Sequence, residues 1–297
     1  MASAELRLIR RRIRSVQSTM KITRAMELIA TSRIAKARVR VKESKPYIEK
    51  MADVIANIAA TSGSLSHALL EVRTVETAGV VVVTSDRGLA GGYNSNVLRL
   101  AERAIADHKT AGRAVRVYMV GGKASGYFGY RKVASASEWS GITDTPSYGH
   151  ARLITNRLLE DYESGAVDSV EVYTTRYVSA LTQNAVLWPV LPVQPPDKTD
   201  ADDPDGVDGG TSYEYEPDAA TVLDKLLPRY VEGTIFGILL EASASEHAAR
   251  RRAMKSATEN AEELVRVLSR EANQARQAEI TTEISEIVGG AEAMAGN

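Results

Sequence analysis

One uninterrupted heptad pattern at the start of the chain limits its fold more than any other feature. Leu6, Ile9, Ile13, Val16, Met20, Thr23, Glu27, Ala30, Ile34, Ala37 and Val41 follow one another in alternating steps of three and four. That is the spacing of a coiled-coil seam. No proline precedes Pro46 and no glycine precedes Gly63, so no breaker interrupts the helix. Met51, Val54, Ile55 and Ile58 resume an apolar stripe beyond Pro46. A helix of about 55 residues at ~1.5 Å each reaches roughly 80 Å. No small globule encloses such a helix, so it needs a partner helix. Two seam residues, Thr23 and Glu27, are polar. They either fix the register of that partner or mark a stretch that faces something else.

The other end of the chain offers the partner. From Tyr230 to Val288 there is no proline, and Gly233 and Gly237 are the only glycines. Met254, Ala257, Ala261, Leu264, Leu268, Ala272 and Ala275 step by three or four, and Ile280, Ile284 and Ile287 repeat the rhythm. Many of these positions are alanine, which lets a partner helix come close. The simplest assembly is a long antiparallel coiled coil of the N- and C-terminal helices that carries the middle of the chain at one side. Helices so paired have few other neighbours, and helices take most of their stability from packing. The arrangement suits a shaft, spacer or lever.

The middle reads as a small open α/β (Rossmann-like) domain. Residues 79–84 (GVVVVT), 114–120, 167–178 and 185–193 have the apolar, β-branched character of strands, and 97–108 and 149–164 have helical periodicity. Strands alternating with helices imply crossover connections. The expected divisions are 1–60 for the first helix, 75–228 for the α/β domain and 229–297 for the second helix. Residues 194–218 are rich in Pro, Asp and Gly and read as an acidic loop with too few apolar groups to fold alone.

Charge and motif content exclude much. Residues 1–50 carry fourteen Lys and Arg against four acids, and residues 197–218 carry nine acids against one Lys, although the net charge is −1. Electrostatic partners are therefore expected at two separate places. With 0 Cys there is no disulfide, thiolate nucleophile or Cys-ligated zinc. His67, His108, His150 and His247 are scattered without metal-ligand spacing. No run of eighteen apolar residues is present, and no apolar stretch follows the first charges as a secretory signal requires. Gly88-Leu-Ala-Gly91-Gly92 follows a strand and precedes a helix, but it matches neither dinucleotide-binding nor P-loop spacing. Gly121-Gly122-Lys123 fails as a P-loop because Val117 and Ala124 stand where Gly and Ser/Thr are needed. These glycines read as turn residues that admit positive φ. No nucleophile-elbow or paired-histidine zinc motif occurs. No catalytic residue, cofactor or metal is expected.

Long motifs then point to a family. Residues 21–33 (KITRAMELIATSR), 85–96 (SDRGLAGGYNSN) and 241–290 (EASASEHAARRRAMKSATENAEEL through ARQAEITTEISEIVGG) lie in order along nearly the whole chain. They resemble the three signatures of the gamma subunits of F-type ATP synthases, where the position of Ala90 is often Cys. The segment 197–211 looks like an insertion relative to many bacterial relatives. The resemblance implies a non-catalytic rotor shaft that couples rotation of a membrane c-ring, driven by protons, to the catalytic sites of an alpha/beta hexamer and contributes to regulation. It implies alpha and beta subunits, epsilon and the c-subunit ring as partners, no nucleic acid, and a peripheral position at the cytoplasmic face of the cell membrane. It further implies rotor–stator contacts at Met26, Arg33, Lys36, Arg276 and Gln277, and a bearing tip at Ala291, Ala293 and Met294. The residues themselves leave plainer uses open: a solvated flank at Arg276, a solvated basic face from Arg33 to Lys42, and a frayed end at the tip. Two other classes are weighed. A basic-zipper nucleic-acid binder would place its basic region beside the heptads, whereas here the arginines flank the seam. A small α/β enzyme would use the Gly88–Asn94 loop and would bind nucleotide as an isolated chain.

Overall fold

The computed structural model describes residues 4–61, 67–194, 215–216 and 218–295. Apart from Gln194, Tyr215, Glu216 and Asp218, the expected acidic loop lies outside the described residues. Two long helices, α1 (Ala4–Thr61) and α5 (Ala219–Ala295), bracket the strands β1 (Thr77–Val83), β2 (Ala114–Val120), β3 (Ser135–Trp139), β4 (Ser169–Tyr177) and β5 (Gln183–Leu191). Between the strands lie α2 (Tyr93–Thr110), α3 (Gly122–Tyr130) and α4 (Tyr148–Glu163). The chain divides into two units, one of residues 1–30 with 250–297 and one of residues 31–249.

In the first unit the α1 heptad seam is realised. Leu6, Thr23 and Ala30 are buried, Ile9, Ile13, Val16, Met20 and Glu27 are half-buried, and most residues between them are exposed. The α5 seam runs through Met254, Thr258, Ala261, Val265, Leu268, Ala272 and Ala275, all buried or half-buried. This differs from the sequence expectation at two places. Thr258 replaces Ala257 at the centre of the seam, and Val265 replaces Leu264, which is 37% exposed. The observed path alternates four and three without a break, which a heptad seam demands. Choosing by apolarity alone diverted the expected path.

Thr258 is buried despite its hydroxyl because it meets Thr23, a polar residue of the α1 seam. Its Oγ1 lies 2.7 Å from Thr23 Oγ1. Of the two readings of Thr23, register control is the one the packing supports. Nineteen residues separate Ala4 from Thr23, and the same count along α5 from Thr258 ends at Gln277. An antiparallel partner therefore gives out near Gln277. The rest of α5, about 18 residues or ~27 Å, has no α1 residue opposite it. Ile280, Ile284, Val288 and Ile287 accordingly stand exposed, the last at 71%.

In the second unit the strand order is β3-β2-β1-β4-β5, with β4 and β5 antiparallel and the other pairs parallel. Successive side chains point to opposite faces. Val80, Val82, Val117 and Met119 pack with Val97, Ala101 and Phe128 of α2 and α3. Val81, Val83, Tyr118 and Val120 pack with Leu158 of α4, Ile55 and Ile58 of α1, and Leu227 and Ile238 of α5. A strand covered on both faces needs apolar residues at every position, hence the unbroken valines of β1. The helices of this unit run antiparallel. Added methyl groups at Gly237 and Gly233 would meet Ile48 Cδ1 at 3.1 Å and Met51 Cε at 3.2 Å, so one number rises as the other falls.

Three features were not anticipated. Helix α3 carries Gly122, Gly126 and Gly129, which weaken a helical signal. Strand β3 is short, half-polar and at the sheet edge. Helix α5 begins nine residues before Pro228, which sits inside it, as Pro46 sits inside α1. A helix tolerates such a residue where packing compensates, and Leu223, Leu227 and Val231 are all buried.

Candidate functional site

Three places in the chain combine polar chemistry with position: the loops at the ends of β1 and β2, the segment 140–147, and the exposed end of α5.

Beyond β1, Thr84 N–H donates to Val120 O at 2.8 Å, and Thr84 Oγ1 accepts from Ala124 N–H at 2.8 Å. Gly121 makes this fit possible. Its φ is +94°, and a Cβ there would stand 2.3 Å from Thr84 O. Ser85 N–H donates to Asn94 Oδ1 at 2.9 Å, so the Gly-rich loop is closed on itself. Ala90 and Tyr93 of that loop pack on Ala249 of α5. The glycines thus serve turns and close approach. Beside the loop lies an open cleft of about 500 Å³ whose polar lining is Asn94, Ser95, Arg99, Lys123 and Tyr127. No carboxylate or imidazole lines it, so it offers no general-base pair of the kind hydrolysis needs.

Asp86 organises the adjoining turns. Its Oδ1 accepts from Gly122 N–H at 3.0 Å and Gly141 N–H at 2.8 Å. Its Oδ2 accepts from Thr143 N–H at 3.1 Å and Thr143 Oγ1–H at 2.9 Å, while Asp86 N–H donates to Thr143 Oγ1 at 3.0 Å. Partial burial pushes the carboxyl pKa up, but these hydrogen bonds to its charged form outweigh burial and hold it below the ordinary 3.8.

Asp144, which follows Thr143 in the chain, faces both long helices. Its carboxylate forms an ion pair with Arg33 of α1. Its carbonyl accepts from Ser243 Oγ of α5 at 3.0 Å, and the buried His247 Nε2 lies 3.3 Å from the same oxygen. One heptad beyond Arg33, Arg40 donates to Pro146 O. Ser147 caps α4, accepting from His150 N–H at 3.3 Å. Lower on the helices, Glu241 accepts from Tyr177 N–H at 3.4 Å. Burial raises its pKa, and the Tyr177 bond, Lys45 and Arg176 oppose the rise.

The residues expected to meet a stator are spread along both helices. Met26 is half-buried, Lys36 is exposed, and Arg33 is engaged with Asp144 inside the chain. Arg276 and Gln277 are both exposed, next to where the α1 pairing ends. At the expected tip, Ala291 is exposed and Met294 is 86% exposed, while Ala293 is helical with its side chain outside the described set. Sequence reasoning missed Asp86, Thr143, Asp144 and Ser243. Their partners are up to 111 residues away, and no local spacing signals them. Among the described residues no group of three or more His, Asp and Glu is placed to hold a metal, and no helix is long and apolar enough to cross a membrane.

Comparison with known proteins gives one consistent result. The family described as ATP synthase matches residues 5–294. The ATP synthase gamma chain of Frankia casuarinae is 49% identical over 298 residues, covering 99% of each chain. That of Thermobifida fusca is 46% identical over 98% of this chain and 97% of the relative. Among solved structures, the fold is shared with a chain of the Euglena gracilis mitochondrial ATP synthase OSCP/F1/c-ring, with TM-score 0.66, 17% identity, and 98% of this chain and 94% of that chain covered. A chain of the Tetrahymena thermophila mitochondrial ATP synthase central stalk/c-ring gives TM-score 0.59 at 20% identity, over 80% and 99% of the two chains.

Proposed function

We infer the role of this chain from the fact that it belongs to the ATP synthase gamma chain family. It is a stalk subunit, and the catalytic sites of such a complex lie on the beta subunits. We propose that it is the rotating shaft of a proton-translocating F-type ATP synthase at the cytoplasmic face of the cell membrane. In this reading it passes rotation of a c-subunit ring to an alpha/beta hexamer, with epsilon as a further partner, and contributes to regulation of activity and proton flow.

The observation that carries the proposal is the mismatch of the long helices. Paired helices supply bending stiffness, and α5 then continues alone with Ile280, Ile284 and Ile287 turned outward. A row of exposed branched apolar residues on one helix is stable when something surrounds it. A surrounding hexamer fits that need. Small residues near the end, Gly289, Gly290 and Ala291, interlock poorly with a wall and suit a bearing. Met26, Lys36, Arg276 and Gln277 are the proposed stator-facing contacts, with the tip at Ala291, Ala293 and Met294.

The test uses the absence of native cysteine from this chain. Gln277→Cys, combined with a cysteine in the facing beta-subunit loop, should cross-link on oxidation, since a disulfide needs Cα atoms within roughly 7 Å. Steady-state ATP hydrolysis should stop and return on reduction. High cross-link yield with undiminished turnover would defeat the rotor reading.

A further inference from the structure

We propose that the segment 140–147 is the mechanical linkage that fixes the α/β sheet to both long helices, with Asp144 as its central positioning residue. The proposal rests on the shaft reading above, because only a chain that carries torque needs such a linkage.

The sheet faces α1 and α5 largely through aliphatic side chains such as Val81, Val83, Ile55 and Ile238. Hydrophobic burial resists separation, but it is non-directional. Directional bonds add to the interlocking of side chains in opposing the sliding of one packed element over another. In this unit β4 is bonded to α5 directly, through Tyr177 N–H to Glu241 and Ser245 Oγ to Thr175 O, and one short segment reaches α1 as well as α5. Asp144 holds α1 by its carboxylate, through Arg33, and α5 by its carbonyl, through Ser243. Arg40 adds a second tie from α1 to Pro146 O. Tyr148, the first residue of α4, donates to Glu232 of α5 at 2.7 Å.

A tie is useful only if its far end is fixed. Gly141 and Thr143 are bonded to Asp86, which also holds Gly122, so the segment is anchored to the loops that end β1 and β2. At its other end Ser147 is locked in a capping box with His150. Force applied to the sheet therefore has a path through Asp86 and Thr143 to Asp144 and from there to both helices, beside the direct bonds from β4 to α5. Arg33 and Asp144 remain partly exposed, at 41% and 30%. Pairs of that exposure add little to stability. The predicted effect is on stiffness.

The experiment uses the assembled complex, with a rotation probe on the α/β domain and the hexamer immobilised. Arg33→Gln, Asp144→Asn and the double variant are compared with wild type. Angular fluctuation at a held position should widen by about twofold in each single variant, and the double should be no worse than the singles, the signature of one coupled interaction. ATP-driven rotation without load should persist. Wild-type fluctuation widths in both single variants would overturn the proposal, as would widths that simply add in the double. A second measurement needs no variant. In the wild-type complex the Gly141 and Thr143 amides should exchange with solvent as slowly as those of α4. Exchange at the rate of an open loop would also overturn it. A wild-type complex that hydrolyses ATP without rotating would remove the shaft reading and this proposal together, whereas rotation with unchanged stiffness would remove this proposal alone.

Discussion

Replacing Thr23 by Val tests a polar contact inside the seam, that of Thr23 with Thr258. The substitution exchanges a hydroxyl for a methyl and keeps β-branching, so helix propensity and shape barely change. Thr23 and Thr258 share a 2.7 Å contact, and each also reaches a carbonyl of its own helix, Met20 O at 3.0 Å and Met254 O at 2.9 Å. Two hydroxyl protons serve three possible bonds, so one threonine donates across the seam and the other donates to its own helix. Thr23→Val leaves Thr258 able to bond Met254 O but removes its partner across the seam. The loss should be about 1 kcal/mol, the net worth of one hydrogen bond with part of a desolvation penalty. Thr258→Val should cost about the same. Replacing both leaves no stranded hydroxyl and adds an apolar contact, so the double variant should return to within ~0.5 kcal/mol of wild type. The coupling energy is then about 1.5–2 kcal/mol. Urea unfolding of the full chain followed by helical circular dichroism measures it. A double variant destabilised by the sum of the singles would falsify the claim that these hydroxyls act as a pair.

Three further outcomes follow from particular contacts. Gly237→Val should destabilise the chain by about 1–3 kcal/mol in the same unfolding assay, because added atoms enter a space where Ile48 Cδ1 already stands 3.1 Å from a Cβ. Gly233→Ala should be neutral or stabilising by up to ~1 kcal/mol, since the nearest atom is the flexible end of Met51 and glycine is a poor helix former. Asp86→Asn should lower stability at neutral pH by about 2 kcal/mol, because an amide cannot accept all the bonds the carboxylate accepts. It should also flatten the acid limb. A carboxyl held below 3.8 in the folded state stabilises above that pH, and this contribution disappears as pH falls from 3.8 through the folded value. Equal acid-limb slopes for variant and wild type would contradict the assignment.

The sequence made the long helices legible because a heptad repeat is a local, periodic signal. Every expected α1 seam residue from Leu6 to Val41 is buried or half-buried. In α5 the rhythm was visible but its phase was misread at Thr258 and Val265, because the deciding interaction is with Thr23, 235 residues away. The strands of the central sheet were legible where both faces are covered, as in β1, and at the apolar edge strand β5, but not at the other edge, where the half-polar β3 reads SASEW. The loops behaved oppositely. Their glycines were recognisable as turn residues, yet the carboxylates that hold those turns carried no signal. Asp86 and Asp144 look like any loop aspartate until the fold brings Gly141, Thr143, Arg33 and Ser243 to them.

The same contrast explains why Arg33 is hard to assign from sequence. In a basic run on a long helix, each arginine looks equally free to meet another subunit. The fold separates them by what lies alongside. Arg33 and Arg40 pass the segment 140–147 and are engaged there, whereas Lys36 and Arg38, at intermediate positions of the same turns, remain exposed. Seven residues bring a helix back to nearly the same face, and Arg33 and Arg40, one heptad apart, are both bonded to the segment there. The exposed pair is therefore available to partners of the complex, and the engaged pair is committed to holding the chain's own sheet. Substituting Lys36 should alter interaction with the stator without changing angular stiffness, and substituting Arg33 should do the reverse. Stiffness that falls equally for both would mean that the basic face acts as a whole and that heptad position does not decide its use.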